Sequence, residues 1–529
     1  MTKSSLHRII RRVAALSALL FVAGNARAIQ LDWSGQFWFD NHWLNNYQLD
    51  RSRPAYDNDP ELVNGGGPYV PGAGSRNVVW YTSFLRLKPK VVVNDSINIK
   101  TEFHVGSPIS GFFGRGYPRT TDESLNFTGS QKEGAAITAQ RFWANLITDF
   151  GTVEFGRAPI HWGLGAIWNS GDNLFDRYQS TGDMVRITSK FGNFWLMPSL
   201  TKVAVGDNVA GAQDAAGNTV QGDDDVTDVN LAAKYDNSEE DFEFGLMWTH
   251  RAGNIAQRTV RYNNLAAGGA NMGSQRISYN IYDFYAKKRM GRYSLGGELP
   301  LFSGSLGAID GAKEFEYKSY ALILEANYTS DLWDLGLKFG HVPGQPASSA
   351  SAGQTPGQVV STLPAGDTTF RAVYLNKDYG LGLIMFHYNL YGLSNNNPDT
   401  IADALLRSPY DSPIVNANYA AFLPQMKFDK WTLKGGIILG YANETASAGK
   451  NFFNYNQRRF YNAIGNQSKF LGKEFDFGIS FKWDENFLLA WDLGMWFPGD
   501  YYAFSNNNAL RQFDMSMMFA SQVRAGITF

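Results

Sequence analysis

The segment that most constrains this chain is residues 79–105, VWYTSFLRLKPKVVVNDSINIKTEFHV. On its first arm Val79, Tyr81, Leu85, Leu87, Val91 and Val93 share one face, while Arg86, Lys88 and Lys90 share the other. After a tight turn at Asn94-Asp95, Ile97, Ile99, Phe103 and Val105 alternate with Asn98, Lys100, Glu102 and His104. Alternation with period two over this length specifies a β-hairpin, because a helix would scatter the same residues around its circumference. One face is aromatic and branched, and the other carries full charges. A soluble sandwich would leave that charged face in bulk water. A membrane barrel turns it into a water-filled lumen and gives the apolar face to lipid.

The rest of the chain favours the barrel. Its first residues have the form of a secretory signal: Lys3, Arg8, Arg11 and Arg12 precede a short apolar run, 13–24, and Ala26-Arg27-Ala28 fits a small-x-small cleavage site. The expected division is a signal peptide over 1–28 and one barrel domain over 29–529. Cleavage after Ala28 leaves 501 residues and removes five basic side chains, so the 47 Lys and Arg fall to 42 against 49 Asp and Glu, a net of −7. A mildly acidic exported chain is no candidate for nucleic-acid binding. Cysteine is absent, which excludes disulfides and thiolate metal sites. Asp223-Asp224-Asp225 with Asp228 lacks the spacing of a Ca²⁺ loop and reads as a solvated tip, so no metal or other cofactor is expected. Beyond the signal no run of ~18 apolar residues occurs, so no membrane helix is encoded. Aromatics nevertheless make up 15% of the chain, as girdles of a barrel would require.

Short turns fall near 94–95, 149–151, 191–193, 236–241, 287–292, 330–333, 376–379, 429–430 and 484–486. Long polar loops fall between them, at 44–77, 106–136, 158–180, 206–227, 250–275, 303–315, 343–367, 391–414, 442–469 and 498–512. Short turns on one side and long loops on the other are the pattern of an outer-membrane barrel. Nine turns and ten loops give a best count of about 20 strands within a range of about 16–20. The fold class is therefore all-β, a transmembrane antiparallel barrel. Its last strand alternates Phe519, Val523, Ala525, Ile527 and Phe529 with Gln522, Arg524 and Thr528, and the chain stops on Phe529. That ending resembles the assembly signal of Gram-negative outer-membrane proteins, which implies delivery by the barrel assembly machinery into a lipopolysaccharide-bearing membrane.

Three short segments go further. FGTVEFGR at 150–157, Phe84-Leu85-Arg86-Leu87, and Met184-Val185-Arg186 before the Phe191-Gly192 turn resemble, in order, segments of the general diffusion porins of Gram-negative bacteria. They cover roughly the first third of the chain, on strands 2, 5 and 6 by this count. The resemblance implies a passive channel for small hydrophilic solutes, a homotrimer, and an arginine wall faced by carboxylates of an inward-folded third loop. Here that loop is 158–180, with Asp172 and Asp176. Two departures stand out: the family's acidic loop motif is missing, and Gln36 occupies the place of its first-strand lysine.

The candidate constriction is thus Arg86, Lys88, Lys100, Glu102, Arg141, Arg157, Asp172, Asp176 and Arg186. Arg157 shares its parity with Val153 and Phe155, so it faces inward only if the strand bulges near Gly156. Pairing that merely holds the wall is the alternative for the strand charges. A substrate-specific channel or exporter, for a sugar, an anion or a polysaccharide, is the alternative function. A barrel enzyme is the third class, but neither His-Glu-x-x-His nor Gly-x-Ser-x-Gly stands in the chain, and no enzyme is expected.

Overall fold

The computed structural model describes residues 30–46, 77–108, 137–204, 226–255, 275–308, 314–349, 359–360, 368–388, 413–455, 459–504 and 515–529. The expected signal peptide with its cleavage site, and Asp223-Asp224-Asp225, lie outside them.

Among the described residues, alternation of apolar and polar side chains produces a wall of eighteen antiparallel strands. They are β1 (Gln30–Asp32 and Gly35–Asn45), β2 (Asn77–Leu87 and Lys90–Asn94), β3 (Ile97–Val105), β4 (Ile137–Thr148), β5 (Gly151–Pro159) and β6 (Thr181–Phe191). Then follow β7 (Phe194–Ala204), β8 (Val226–Asn237), β9 (Phe242–Ile255), β10 (Gln275–Met290), β11 (Tyr293–Ala308) and β12 (Glu314–Tyr320 and Leu322–Thr329). The last are β13 (Trp333–Val342), β14 (Ala417–Phe428), β15 (Trp431–Tyr441), β16 (Phe470–Lys482), β17 (Phe487–Pro498) and β18 (Met518–Thr528). The break in β2 falls at Pro89, which has no N–H for the ladder but still accepts from Thr101 N at 3.0 Å. β18 pairs with β1 from Gln36↔Thr528 to Asn45↔Phe519, so the sheet closes and leaves no open edge to lipid. Phe529 finishes that seam. Its backbone N–H donates to Gly35 O at 3.1 Å, its carbonyl accepts from Gly35 N at 2.8 Å, and its ring is exposed on the outer face.

The outer face is apolar. Phe142, Phe155, Val185, Leu200, Leu324, Ile437, Phe477 and Trp491 all project from it, exposed. Aromatic pairs stand beside the short turns, as a girdle at one membrane interface requires: Phe194 and Tyr235 at 4.9 Å, Tyr293 and Tyr328 at 5.1 Å, Trp431 and Phe481 at 4.5 Å. The inner face carries charge pairs between facing residues of neighbouring strands, such as Glu154–Arg186 at 2.6 Å, Asp228–Arg251 at 2.7 Å and Glu325–Lys338 at 3.1 Å. Asp228 is thus part of the wall of β8 and not of a loop tip.

Eighteen strands lie two below the best count of 20, and one segment accounts for the pair. The apparent turn at 376–379 is not in the wall: β13 is followed directly by β14. Residues 368–388 enter the lumen instead, where Val373, Leu375, Leu381, Ile384, Met385 and Tyr388 are buried. They pack against inward-facing apolar residues of the wall, among them Ile277, Ile281, Ile323, Ala417 and Trp496. The segment is apolar because protein covers it, not lipid.

Candidate pore constriction

The third loop, 160–180, leaves β5 at Pro159, turns into the barrel and lies on the inner face of β1 to β4. Left-handed glycines shape it. At Gly171, where φ is +65°, an added Cβ would come 2.1 Å from the Tyr178 carbonyl oxygen, so only glycine closes this turn. The Gly171 carbonyl then accepts from Arg86 Nη1 at 2.9 Å.

Four sequence-derived candidates meet here. Glu102 on β3 lies between two arginines, with Arg141 Nη1 at 3.0 Å and Arg86 Nε at 3.4 Å. It also receives Gln179 Nε2 of the loop at 2.7 Å and contacts His104 Nε2 at 2.7 Å. Arg141 reaches onward to Asp172 at 2.9 Å and to the Ser170 carbonyl. A bulge in β4 at Gln140, between the Glu102↔Arg141 and Phe103↔Ala139 pairs, sets Arg141 opposite Glu102. Arg86 also donates to Gln36 Oε1 at 3.0 Å and lies 5.7 Å from the Trp38 ring centroid. A fifth candidate, Lys88, pairs with Asp172 at 3.0 Å. Burial alone would raise the Asp172 carboxyl, but Arg141 and Lys88 outweigh it and hold it down at about 2.

The expected juxtaposition exists, but not as a field across water. Arg86, Glu102 and Arg141 are no more than 2% exposed, and the loop sits directly on them. Each ion carries a desolvation cost that only its bonded partners offset, so the cluster acts as a pin. Lys88 and Asp172, with side chains 28% and 46% exposed, are its water-facing end. Asp176 contributes its carbonyl to Arg86 at 3.2 Å, while its carboxylate accepts from Asn173 N and Nδ2 at 2.9 Å each and closes the loop's own turn.

Three candidates fall elsewhere. Lys100 faces the lumen but stands over the Trp143 ring at 5.7 Å and is not bonded to Glu102. Arg186 faces the lumen against Glu154 and the Pro159 carbonyl, away from the pin. Arg157 is a correction. The register through Gly156 is regular on both sides, so Arg157 keeps the parity of Phe155 and points outward, paired with Asp183 at 2.6 Å and 2.8 Å.

The pairing logic of single strands missed several groups that hold the inward segments. Glu298 on β11 accepts from the loop's Leu164 N at 2.5 Å and Ile167 N at 3.3 Å. Arg177 joins the loop to Asp40 on β1 and to the Pro108 carbonyl. Glu474 on β16 accepts from Ile384 N at 2.7 Å and Met385 N at 2.6 Å, and Asp476 from Leu383 N at 3.0 Å. The two inward segments also meet. Asp378 accepts from Arg177 N at 2.9 Å and Tyr178 N at 2.6 Å, and Asn376 N donates to the Ala166 carbonyl at 2.7 Å. In sequence these acids show only lumen parity or a loop position; apart from Asp40, which pairs with Arg177, their partners here are backbone amides, which no side-chain pattern reveals.

No family model matches the chain, and no curated protein matches it. Among solved structures it is similar to OccK1 (OpdK) of Pseudomonas aeruginosa, at 12% identity over 94% of this chain and 98% of that one, with a TM-score of 0.45. It is similar to a BenF-like porin from Pseudomonas fluorescens at 10% identity over 94% and 98%, TM-score 0.44. It is also similar to an anion-selective porin from Comamonas acidovorans at 10% identity over 95% and 100%, TM-score 0.38.

Proposed function

We propose that the protein is an outer-membrane channel through which small hydrophilic solutes and ions diffuse passively, exported with a signal peptide over 1–28 that is then removed. One observation carries this reading. Inside a closed barrel with an apolar exterior, lumen charges outside the buried pin keep contact with water: Lys88, Asp172, Arg186, Lys234 and Glu243 have side chains 22–46% exposed. Water reaches such groups along the lumen and through its mouths, and a charged, hydrated lumen conducts polar solutes while setting ion preference. The two inward segments narrow the lumen and form its constriction. Phe529 at the seam marks the strand that completes closure, and fits a role in assembly. Recording of the purified protein in a planar bilayer tests the function. Stepwise ohmic conductance with a salt-dependent reversal potential is expected; a folded barrel that inserts without conductance would refute it.

A further inference from the structure

Beneath the third loop, on the side away from the pin, lies a cavity of about 280 Å³. Its wall residues come from β6 to β10, and its roof is the loop's first stretch, 160–163. Lys234 lies three residues before the end of β8 and Glu243 one residue into β9, so the cavity reaches down towards the short-turn end. It is on the periplasmic side of the constriction.

Its lining has two chemistries. Trp162 and Tyr285 meet edge to face at 5.0 Å, and Met247 lies beside them. The polar lining is Arg186, Lys234, Glu243 and Ser199, with Glu243 accepting from the Tyr285 hydroxyl at the edge of the apolar surface. Arg186 uses Nε on Glu154 and Nη1 on the Pro159 carbonyl, which leaves Nη2 to donate. Lys234 has three N–H donors and two carboxylate partners, Asp236 and Glu243, each at 3.2 Å. The Ser199 hydroxyl accepts from Asn230 at 3.1 Å and keeps its own hydrogen. Two cations already face three carboxylates, so there is no excess positive charge to hold an anion. The site instead offers donors and acceptors side by side, which suits hydroxyls because each both donates and accepts. The aromatic surface suits the C–H face of a ring.

We propose that this cavity is a binding site for one neutral sugar ring, reached from the lumen; the inference rests on the channel reading above. Its volume is at the small end of ligand sites, which begin at about 300 Å³, so it holds a single ring and not a chain.

Isothermal titration of the folded, detergent-solubilised protein with glucose and with benzoate tests the site, alongside single-channel recording with the same two solutes. Glucose is expected to bind and to interrupt the current. Ser199→Ala and Lys234→Ala are each expected to weaken glucose binding about fivefold, since each removes one hydrogen bond. Heat-modifiable migration checks that both variants fold. Absence of glucose binding in a conducting wild type would overturn the sugar site and leave the channel standing. Glucose binding without conductance would keep the site and overturn the channel. Binding of benzoate in place of glucose, or glucose binding unchanged in both variants, would overturn the assignment.

Discussion

Two segments fold into the lumen, and the main hold on each differs. The third loop hangs at its first stretch on Glu298, which accepts from the Leu164 and Ile167 amides, but its inner end is held by charge. Glu102 joins Arg86 and Arg141, and Asp172 continues the chain of ions to Lys88. Residues 368–388 are held by apolar burial, with Ile384, Met385 and Tyr388 no more than 2% exposed, and by carboxylates that accept from backbone amides. An ionic pin fails when one member is removed, because the rest are left buried and uncompensated. An apolar segment fails when its shape no longer fits. Each mode therefore has its own most damaging substitution.

Glu102→Gln should have the largest effect. It leaves Arg86 and Arg141 buried close together without their shared carboxylate, at a cost of about 3–5 kcal/mol. New protease cleavage within 160–180 is expected, with 368–388 still protected. Equal protection of both segments would mean that the ionic pin is not what holds the loop. Gly382→Ala comes next and should reverse the pattern. Its added Cβ would lie 2.6 Å from Glu474 Oε1, and Glu474 cannot retreat because two amides hold it. A cost of about 1–3 kcal/mol is expected, read as faster hydrogen exchange in 383–388 only.

The contact between the segments should depend on pH. Burial, and then the nearby Asp176, push the Asp378 carboxyl up to about 7. With its folded pKa above the ordinary value, Asp378 contributes stability that is fully present below about 4 and is lost as pH rises through about 7. The loss is at most ~1.4 kcal/mol per pH unit. Amide exchange at Arg177 and Tyr178, corrected for its intrinsic pH dependence, should therefore quicken between about pH 4 and 7 and level off above, and Asp378→Asn should abolish this change. The smallest effect is expected at Arg157. Its exposed, outward pair with Asp183 contributes about 0–1 kcal/mol, so Arg157→Ala should leave conductance and selectivity unchanged. A shift in reversal potential would return Arg157 to the pore.

The same contrast explains what the sequence made legible. The barrel was readable because lipid on one side and charge on the other impose strict alternation, as in β2 and β3. The third loop's approach to the arginines was not in the alternation; only the resemblance to general diffusion porins implied it, by setting Asp172 and Asp176 in an inward-folded loop. Residues 368–388 were misread as two strands because an apolar run looks the same whether lipid or a protein interior covers it. Arg157 was settled by parity once the register through Gly156 proved regular. The burial of Arg86 and Arg141 beneath the loop could not be read, since it depends on where the Ser170, Gly171 and Asp176 carbonyls lie in space.

The most direct test replaces residues 162–179 with a short Gly-Ser link and compares single-channel conductance with that of the intact protein. The deletion removes the pinned loop together with the carbonyl and amides that anchor Asn376 and Asp378. If the two segments form the constriction, conductance should rise about twofold or more in a barrel that still shows heat-modifiable folding. An unchanged conductance in such a barrel would contradict it and place the narrowest point elsewhere.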